Sequence, residues 1–285
     1  KELGTKLAAH DVGTLTVSRK NQAGPFMSDF SSWGPSPNLE LKPEITAHGG
    51  KIKSSVPNND YDELSGTSMA TPNLCGIVVL IRQFLKEKFP DYTQQQIVVL
   101  ANQMLMSTAT IVLNEEGNPY SPRKQGAGLA SLYNVVNTKA YLSVDGIDRT
   151  KLELKDDPER AGIYDMSFNV VNISDTPVSY KLSLVGMSET VSTSDPEYVA
   201  EKGHVLGGGF SATVSDGSYK NGVVTVEGGK TAKINVTYKL TDGDKKYIDS
   251  LFPYGMFVEG FVKLVAAEEK GIDLNVPFLA FYGDW

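Results

Sequence analysis

The residues most able to do chemistry lie together in Leu64-Ser65-Gly66-Thr67-Ser68-Met69-Ala70-Thr71-Pro72, immediately before a long apolar stretch. A serine at a helix entrance has two physical uses. Its hydroxyl can cap the helix, or it can serve as a nucleophile where unpaired backbone N–H groups and the positive dipole end stabilise a developing oxyanion. A serine hydroxyl is a weak nucleophile at neutral pH, so the second use demands a general base and a carboxylate that orients it. The chain holds three histidines, His10, His48 and His204, and none stands in a segment that reads as a catalytic base.

The elements that would position Ser68 follow from hydrophobic periodicity. Met69, Leu74, Cys75, Val78, Ile81 and Leu85 recur at helical spacing, and the added Ile77, Val79 and Leu80 make the segment from Met69 to about Phe89 apolar nearly all round. This predicts a helix buried on most sides, with Cys75 an inert buried thiol. Thr93 with Gln96 three residues on predicts a capping box opening a second helix over about 93–106. A third, shorter helix is expected across Leu132, Val135 and Val136.

After residue 140 the period changes to two. Tyr164, Met166, Phe168 and Val170 alternate with polar neighbours, as do Tyr180, Leu182 and Leu184, and then Ala232 to Leu240. Further strands are expected at 223–227, 256–265 and 273–281, with Gly207-Gly208-Gly209 as a hairpin or loop. Half a dozen short strands at this spacing predict a β-sandwich. Asp242, Asp244 and Asp249 can be read as a calcium site, but they lack the EF-hand spacing and read better as a solvated acidic loop, so no metal ligand is assigned. The sequon Asn235-Val236-Thr237 is silent in a bacterial source.

Composition narrows the partners. The 285 residues suggest two domains of ordinary globular composition. Lys and Arg total 27 and Asp and Glu 34, a net charge of −7. Residues 1–139 carry 13 basic and 12 acidic side chains and residues 140–285 carry 14 and 22, so the acidity lies in the second part. That balance argues against nucleic acid, which requires clustered basic groups. The longest apolar run is Cys75 to Ile81, far below the about 20 residues of a transmembrane helix. One cysteine excludes an internal disulfide. A chain opening on Lys1 with no leader reads as a mature or cut fragment.

The string Ser65-Gly66-Thr67-Ser68-Met69-Ala70-Thr71-Pro72 resembles the nucleophile motif of subtilisin-like serine proteases. Phe30 to Pro35, Leu41 to Gly50 and Gly126-Ala127-Gly128-Leu129 are similar to other family segments in the family's order, over about residues 25–139. Gly260-Phe261-Val262 and Val276 to Asp284 resemble the first fibronectin-type domain of Gram-positive cell-envelope proteinases, the group of the lactocepins and the streptococcal complement-cleaving peptidases. His48 and Trp33 depart from the family pattern; His48 falls in what the family uses as a structural loop, implying a packing or hydrogen-bonding role.

The resemblance implies an α/β fold, part of a subtilisin-like parallel-sheet domain over 1–139, followed by an all-β fibronectin-type sandwich over 140–285. It makes Ser68 the nucleophile, gives Thr67 a supporting role at the oxyanion hole, and lays Leu64, Ser65 and Gly66 beside a bound peptide. The family's Asp segment, His segment and oxyanion Asn occur nowhere before residue 68. The expectation is therefore a secreted or cell-surface serine endopeptidase acting on protein or peptide substrates without a required cofactor. The missing groups would come from an upstream half of the catalytic domain, and this chain alone is expected to be inactive. Two other readings stand beside it. One is a catalytically inactive protease-like surface scaffold or binding module; the other takes Gly66 to Ala70 as a degenerate elbow of an α/β-hydrolase, for which the only later histidine is His204.

Overall fold

A computed structural model describes residues 25–192 and 199–285. A hairpin of β1 (Ile52–Val56) and β2 (Asp60–Leu64) leads into helix α1 (Thr67–Lys88), followed by α2 (Gln94–Ser107), the single turn α3 (Pro122–Gln125) and α4 (Leu132–Asn137). Then come β3 (Ala140–Ser143), β4 (Leu152–Asp157), β5 (Ile163–Asn172), β6 (Val178–Val191), β7 (Val199–Val205), β8 (Gly209–Ser215), β9 (Ser218–Lys220), β10 (Val223–Val226) and β11 (Thr231–Lys239). Helix α5 (Asp242–Leu251) precedes β12 (Met256–Ala266) and β13 (Leu274–Tyr282).

Two sheets form the sandwich. One has the order β4-β13-β12-β6-β10-β9 with β7 also on β6, and the other β3-β5-β11-β8. The alternation read in the sequence is what fills the space between them: Tyr164, Met166, Phe168 and Val170 of β5 and Ala232, Ile234, Val236 and Tyr238 of β11 meet Val262, Leu264, Val276 and Phe278 from the other sheet in one buried cluster. Strand β13 does not alternate, because all nine of its residues are buried. Leu274, Val276, Phe278, Ala280 and Tyr282 belong to the sandwich core, while the intervening residues face outward, where the helical half covers them. A strand covered on both faces reads as a continuous apolar run.

The helical half has its own core of Ile81 and Leu85 from α1, Ile97, Leu100, Ala101, Met104 and Leu105 from α2, and Val135 from α4. The Thr93 capping box forms as expected, with Thr93 Oγ1 accepting from Gln96 N–H and Gln96 Oε1 accepting from Thr93 N–H at 2.8 Å. Of three expectations, two are corrected and one, the parallel sheet, is not seen among the described residues. First, α1 is not buried on most sides: only Ile81 and Leu85 are, Val79 and Leu80 are exposed, and so is Cys75. Neighbours α2 and α4 pack on one side of it. By length and composition alone this helix is also long and apolar enough to cross a bilayer, which a count of uninterrupted apolar residues does not detect. Second, the parallel sheet expected for the first domain is absent among the described residues; a single parallel bridge joins Thr46 to Leu129, and β1 and β2 are antiparallel. Third, the acidic stretch at 242–249 is a helix rather than a loop. Thr241 and Asp244 form a capping box, Asp244 is buried and also accepts from Gly207 N–H at 2.7 Å, and Asp249 pairs with Arg160. Gly207 and Gly208 form the crossing between β7 and β8, which lie in different sheets, rather than a hairpin.

The helical half and the sandwich are joined by charged groups. Glu44 receives Lys151 Nζ at 3.1 Å and Arg149 Nε at 3.1 Å, and Lys151 also pairs with Glu153. Burial alone would raise the Glu44 carboxyl, but hydrogen bonds and charge from Lys42 and Lys151 outweigh it and bring its pKa from 4.5 down to about 2. A carboxyl depressed on folding contributes stability that is complete above 4.5 and disappears as pH falls toward 2. The unfolding temperature is therefore expected to fall between pH 4.5 and 2, and a Glu44→Gln variant to lose part of that slope, as read by thermal unfolding across that range. Identical slopes would remove Glu44 from the acid response.

Candidate active site

The nucleophile candidate sits where a strand hands over to a helix. Strand β2 ends at Leu64, Ser65 Oγ accepts from Lys51 N–H at 2.8 Å, and Gly66 occupies the N-cap with no side-chain cap of its own. Gly66 N–H donates to the Gly49 carbonyl at 2.8 Å, which fixes the turn against the loop carrying His48. Helix α1 then begins, and Met69 and Ala70 donate back to the Gly66 carbonyl at 3.0 and 3.3 Å. The backbone N–H groups of Thr67 and Ser68, one and two positions into the helix, have no acceptor among the described residues. Ser68 itself is exposed, and its hydroxyl has no hydrogen-bond partner among them.

The bland use of Ser68 is thereby excluded in this structure: a cap would sit at Gly66 and bond back to the first turn, and Ser68 does neither. Thr71 Oγ1 is tied to the Thr67 carbonyl at 3.0 Å, steadying the first turn. Leu64, Ser65, Thr67 and Ser68, with Gly66 half-buried between them, thus form one rim at the positive end of a 22-residue helix. Such an end offers free donors and a favourable potential to an oxyanion.

Beside the rim lies a cavity of about 430 Å³, lined by His48, Gly49, Thr67, Ala70 and Thr71 and, across it, by Phe30. His48 is exposed and makes no hydrogen bond among the described residues, so the hydrogen-bonding role expected for it is not seen there. His204 lies in β7 and stacks on Tyr247 at 3.8 Å between ring centroids, within the sandwich. His10 lies outside the described residues. Asp244 is engaged in the cap and Asp249 in the Arg160 pair, Asp242 is exposed on the first turn of α5, and the described residues hold no group of three or more side chains arranged for a metal ion.

Glycines explain why motif segments distant in sequence meet here. A Cβ on Gly49 would stand 2.6 Å from the Gly66 carbonyl oxygen and 2.9 Å from Ala70 Cβ, so only glycine lets the His48 loop lie against the helix entrance. Gly126 has φ of 64° and lies against the Glu44 backbone, which lets Ala127 N–H donate to the Glu44 carbonyl at 3.0 Å. Gly49→Ala is expected to destabilise the protein by about 1–3 kcal/mol through overpacking. Denaturant unfolding checks this; an unchanged midpoint would show that the loop can withdraw at no cost.

Strings of this kind, in this order and this geometry, find their match among known proteins. A model of the subtilase family, Peptidase S8, matches residues 5–128. Residues 5–128 belong to the subtilase family. An Fn3-like domain model matches residues 152–279, the greater part of the sandwich. Among curated relatives, the PII-type proteinase of Lacticaseibacillus paracasei is 32% identical over 99% of this chain. The PI-type proteinase of Lactococcus lactis subsp. cremoris is 32% identical over 99%, and the C5a peptidase of Streptococcus pyogenes 29% identical over 92%. The chain spans 14% of the length of the first two and 21% of the third.

Within this subtilase segment the sequence reading missed one cluster. Arg123 of α3 is 5% exposed and pairs through Nε with Glu259 of β12 at 3.0 Å and through Nη2 with Glu189 of β6. Ser121 Oγ donates to the same Glu259 at 2.7 Å. The Arg123 guanidinium lies over the Phe257 ring at 4.0 Å and over Trp33 at 5.5 Å. The signal for it was Glu259, a carboxylate set in the apolar run that opens Met256–Ala266.

Proposed function

We propose that this chain is the nucleophile-bearing part of a serine endopeptidase that hydrolyses protein substrates through an acyl-enzyme on Ser68. The observation that carries the reading is the exposed, unpartnered Ser68 hydroxyl on the first turn of α1, beside the unbonded N–H groups of Thr67 and Ser68. Ser68 Oγ attacks the scissile carbonyl and its proton passes to a histidine base; the oxyanion formed is held by the Ser68 N–H, with Thr67 supporting the hole. Leu64, Ser65 and Gly66 run beside the bound peptide. The histidine, its aspartate and an oxyanion asparagine come, in this reading, from the upstream half of the catalytic domain. No cofactor takes part. The relatives are proteinases of Gram-positive bacteria, which supports a secreted or cell-surface location.

The test is intact-mass analysis of the natively isolated protein after a fluorophosphonate, with the label mapped by peptide. A label on Ser68, with a polypeptide bearing the Asp and His segments present, is the expected result. No label in the presence of those segments would make the chain a protease-like scaffold.

A further inference from the structure

A second cavity, of about 390 Å³, lies where the helical half meets the sandwich, remote in sequence from Ser68. Its walls include Thr110, Ile111 and Leu113 on one side and Lys263, Val265 and Asn275 on the other. Lys263 of β12 and Asn275 of β13 are directly paired across the antiparallel ladder and so share one face of the sheet. That face is the outer one, because Leu264, Leu274 and Val276 at the alternate positions fill the sandwich core.

Asn275 is only 3% exposed, and its amide is half used. Its Nδ2 donates to the Ala109 carbonyl at 2.8 Å, which fixes the amide orientation, and its Oδ1 is buried with no hydrogen-bond partner. A buried acceptor left without a donor costs free energy that a ligand N–H would recover. Opposite it, Thr110 exchanges both backbone hydrogen bonds with Leu129, at 2.9 and 2.8 Å, whereas Ile111, one residue on, makes no backbone hydrogen bond among the described residues. Lys263 has no acidic partner among them, while Asp273 on the same rim already accepts from Ala266 N–H at 2.8 Å. Leu113 and Val265 are 45% and 42% exposed beside these polar groups.

An unused acceptor, an unused backbone donor and acceptor, an unpaired cation and two exposed apolar side chains are together the recognition chemistry of an extended acidic peptide. We propose that this junction cavity binds an extended, acidic stretch of polypeptide, giving a main-chain N–H to Asn275 Oδ1 and a carboxylate to Lys263. In the endopeptidase reading, on which only the identity of this ligand rests, the stretch belongs to the substrate at a distance from the bond being cut.

The test uses the full-length proteinase carrying a Ser68→Ala substitution, so that binding is read without cleavage, and fluorescence anisotropy of a labelled Glu-Val-Glu-Val-Glu peptide. Lys263→Glu is expected to weaken binding about five- to tenfold and to turn the preference toward Lys-Val-Lys-Val-Lys, while Lys263→Arg stays within about twofold of the parent. An N-methylated Glu-Val peptide, which lacks the N–H for Asn275, is expected to bind at least about tenfold more weakly. Equal binding of the acidic and basic peptides, no response to Lys263→Glu, or no binding by the parent would each overturn the proposal. Because the background is already Ser68→Ala, failure here leaves the Ser68 reading intact, and failure to label Ser68 leaves this site intact.

Discussion

On the endopeptidase reading, Ser68→Ala in the full-length protein is expected to lower kcat by about 10⁶-fold, the loss recorded when the nucleophile of a subtilisin is removed, leaving only the residual rate of binding and the oxyanion hole. The structure makes this substitution unusually clean. Ser68 is exposed and its hydroxyl bonds to nothing among the described residues, so truncation leaves no orphaned partner. Alanine is also a better helix former than serine in the first turn of α1. Stability is therefore expected to stay within about 0.5 kcal/mol of the parent, as for surface substitutions generally. Rate measured on a protein substrate and denaturant unfolding on the same preparation separate the two effects. Activity retained within tenfold would mean that another group performs the attack; a collapse of both activity and stability would mean that Ser68 holds the turn together.

How far the sequence led depends on where each side chain's partner sits. The Thr93–Gln96 cap, the alternating strands β5 and β11 and the helical spacing of α1 and α2 are local patterns, and local patterns were legible because each residue's neighbours three, four or two positions away decide its environment. Ser68 was legible for another reason, since eight consecutive residues of a specific type identify its place at the helix entrance. What failed was what depends on the other side of the element. Cys75, Val79 and Leu80 read as buried from composition, yet burial requires a covering element, and the described residues cover α1 on one side only. Asp242 and Asp244 read as a solvated loop because their spacing lacks a calcium-binding pattern, which leaves their place in a helix unexamined. At a first turn the same residues are favoured by the dipole, and Thr241 three residues before Asp244 was the signal for a cap. Glu259 and Asn275 stood out only as polar residues in apolar strands, and their partners, Arg123 and Ala109, lie more than 130 residues away in sequence.

That distance makes Arg123 the residue on which the joining of the two halves most depends. Arg123→Met is expected to destabilise the protein by about 3–5 kcal/mol, because it leaves Glu259 and Glu189 buried without their guanidinium. The pair is worth little as attraction alone, since burying the charges costs nearly what their attraction returns; the penalty arises from removing one side of it. The combined variant Arg123→Met, Glu189→Gln and Glu259→Gln, which removes the charge on both sides, is accordingly expected to recover most of the loss. Thermal and denaturant unfolding of the single and combined variants measure this. A single variant within about 1 kcal/mol of the parent would show that the carboxylates find other partners or water. The consequence reaches the rim as well. Gly34 N–H donates to the Arg123 carbonyl at 2.9 Å and Ser31 Oγ to the Lys124 carbonyl at 3.1 Å, so α3 holds the segment whose Phe30 and Ser31 line the cavity beside Thr67. Loosening α3 from the sandwich is expected to slow fluorophosphonate labelling of Ser68 even below the unfolding temperature, whereas a purely global role for Arg123 would leave the labelling rate of the folded protein unchanged.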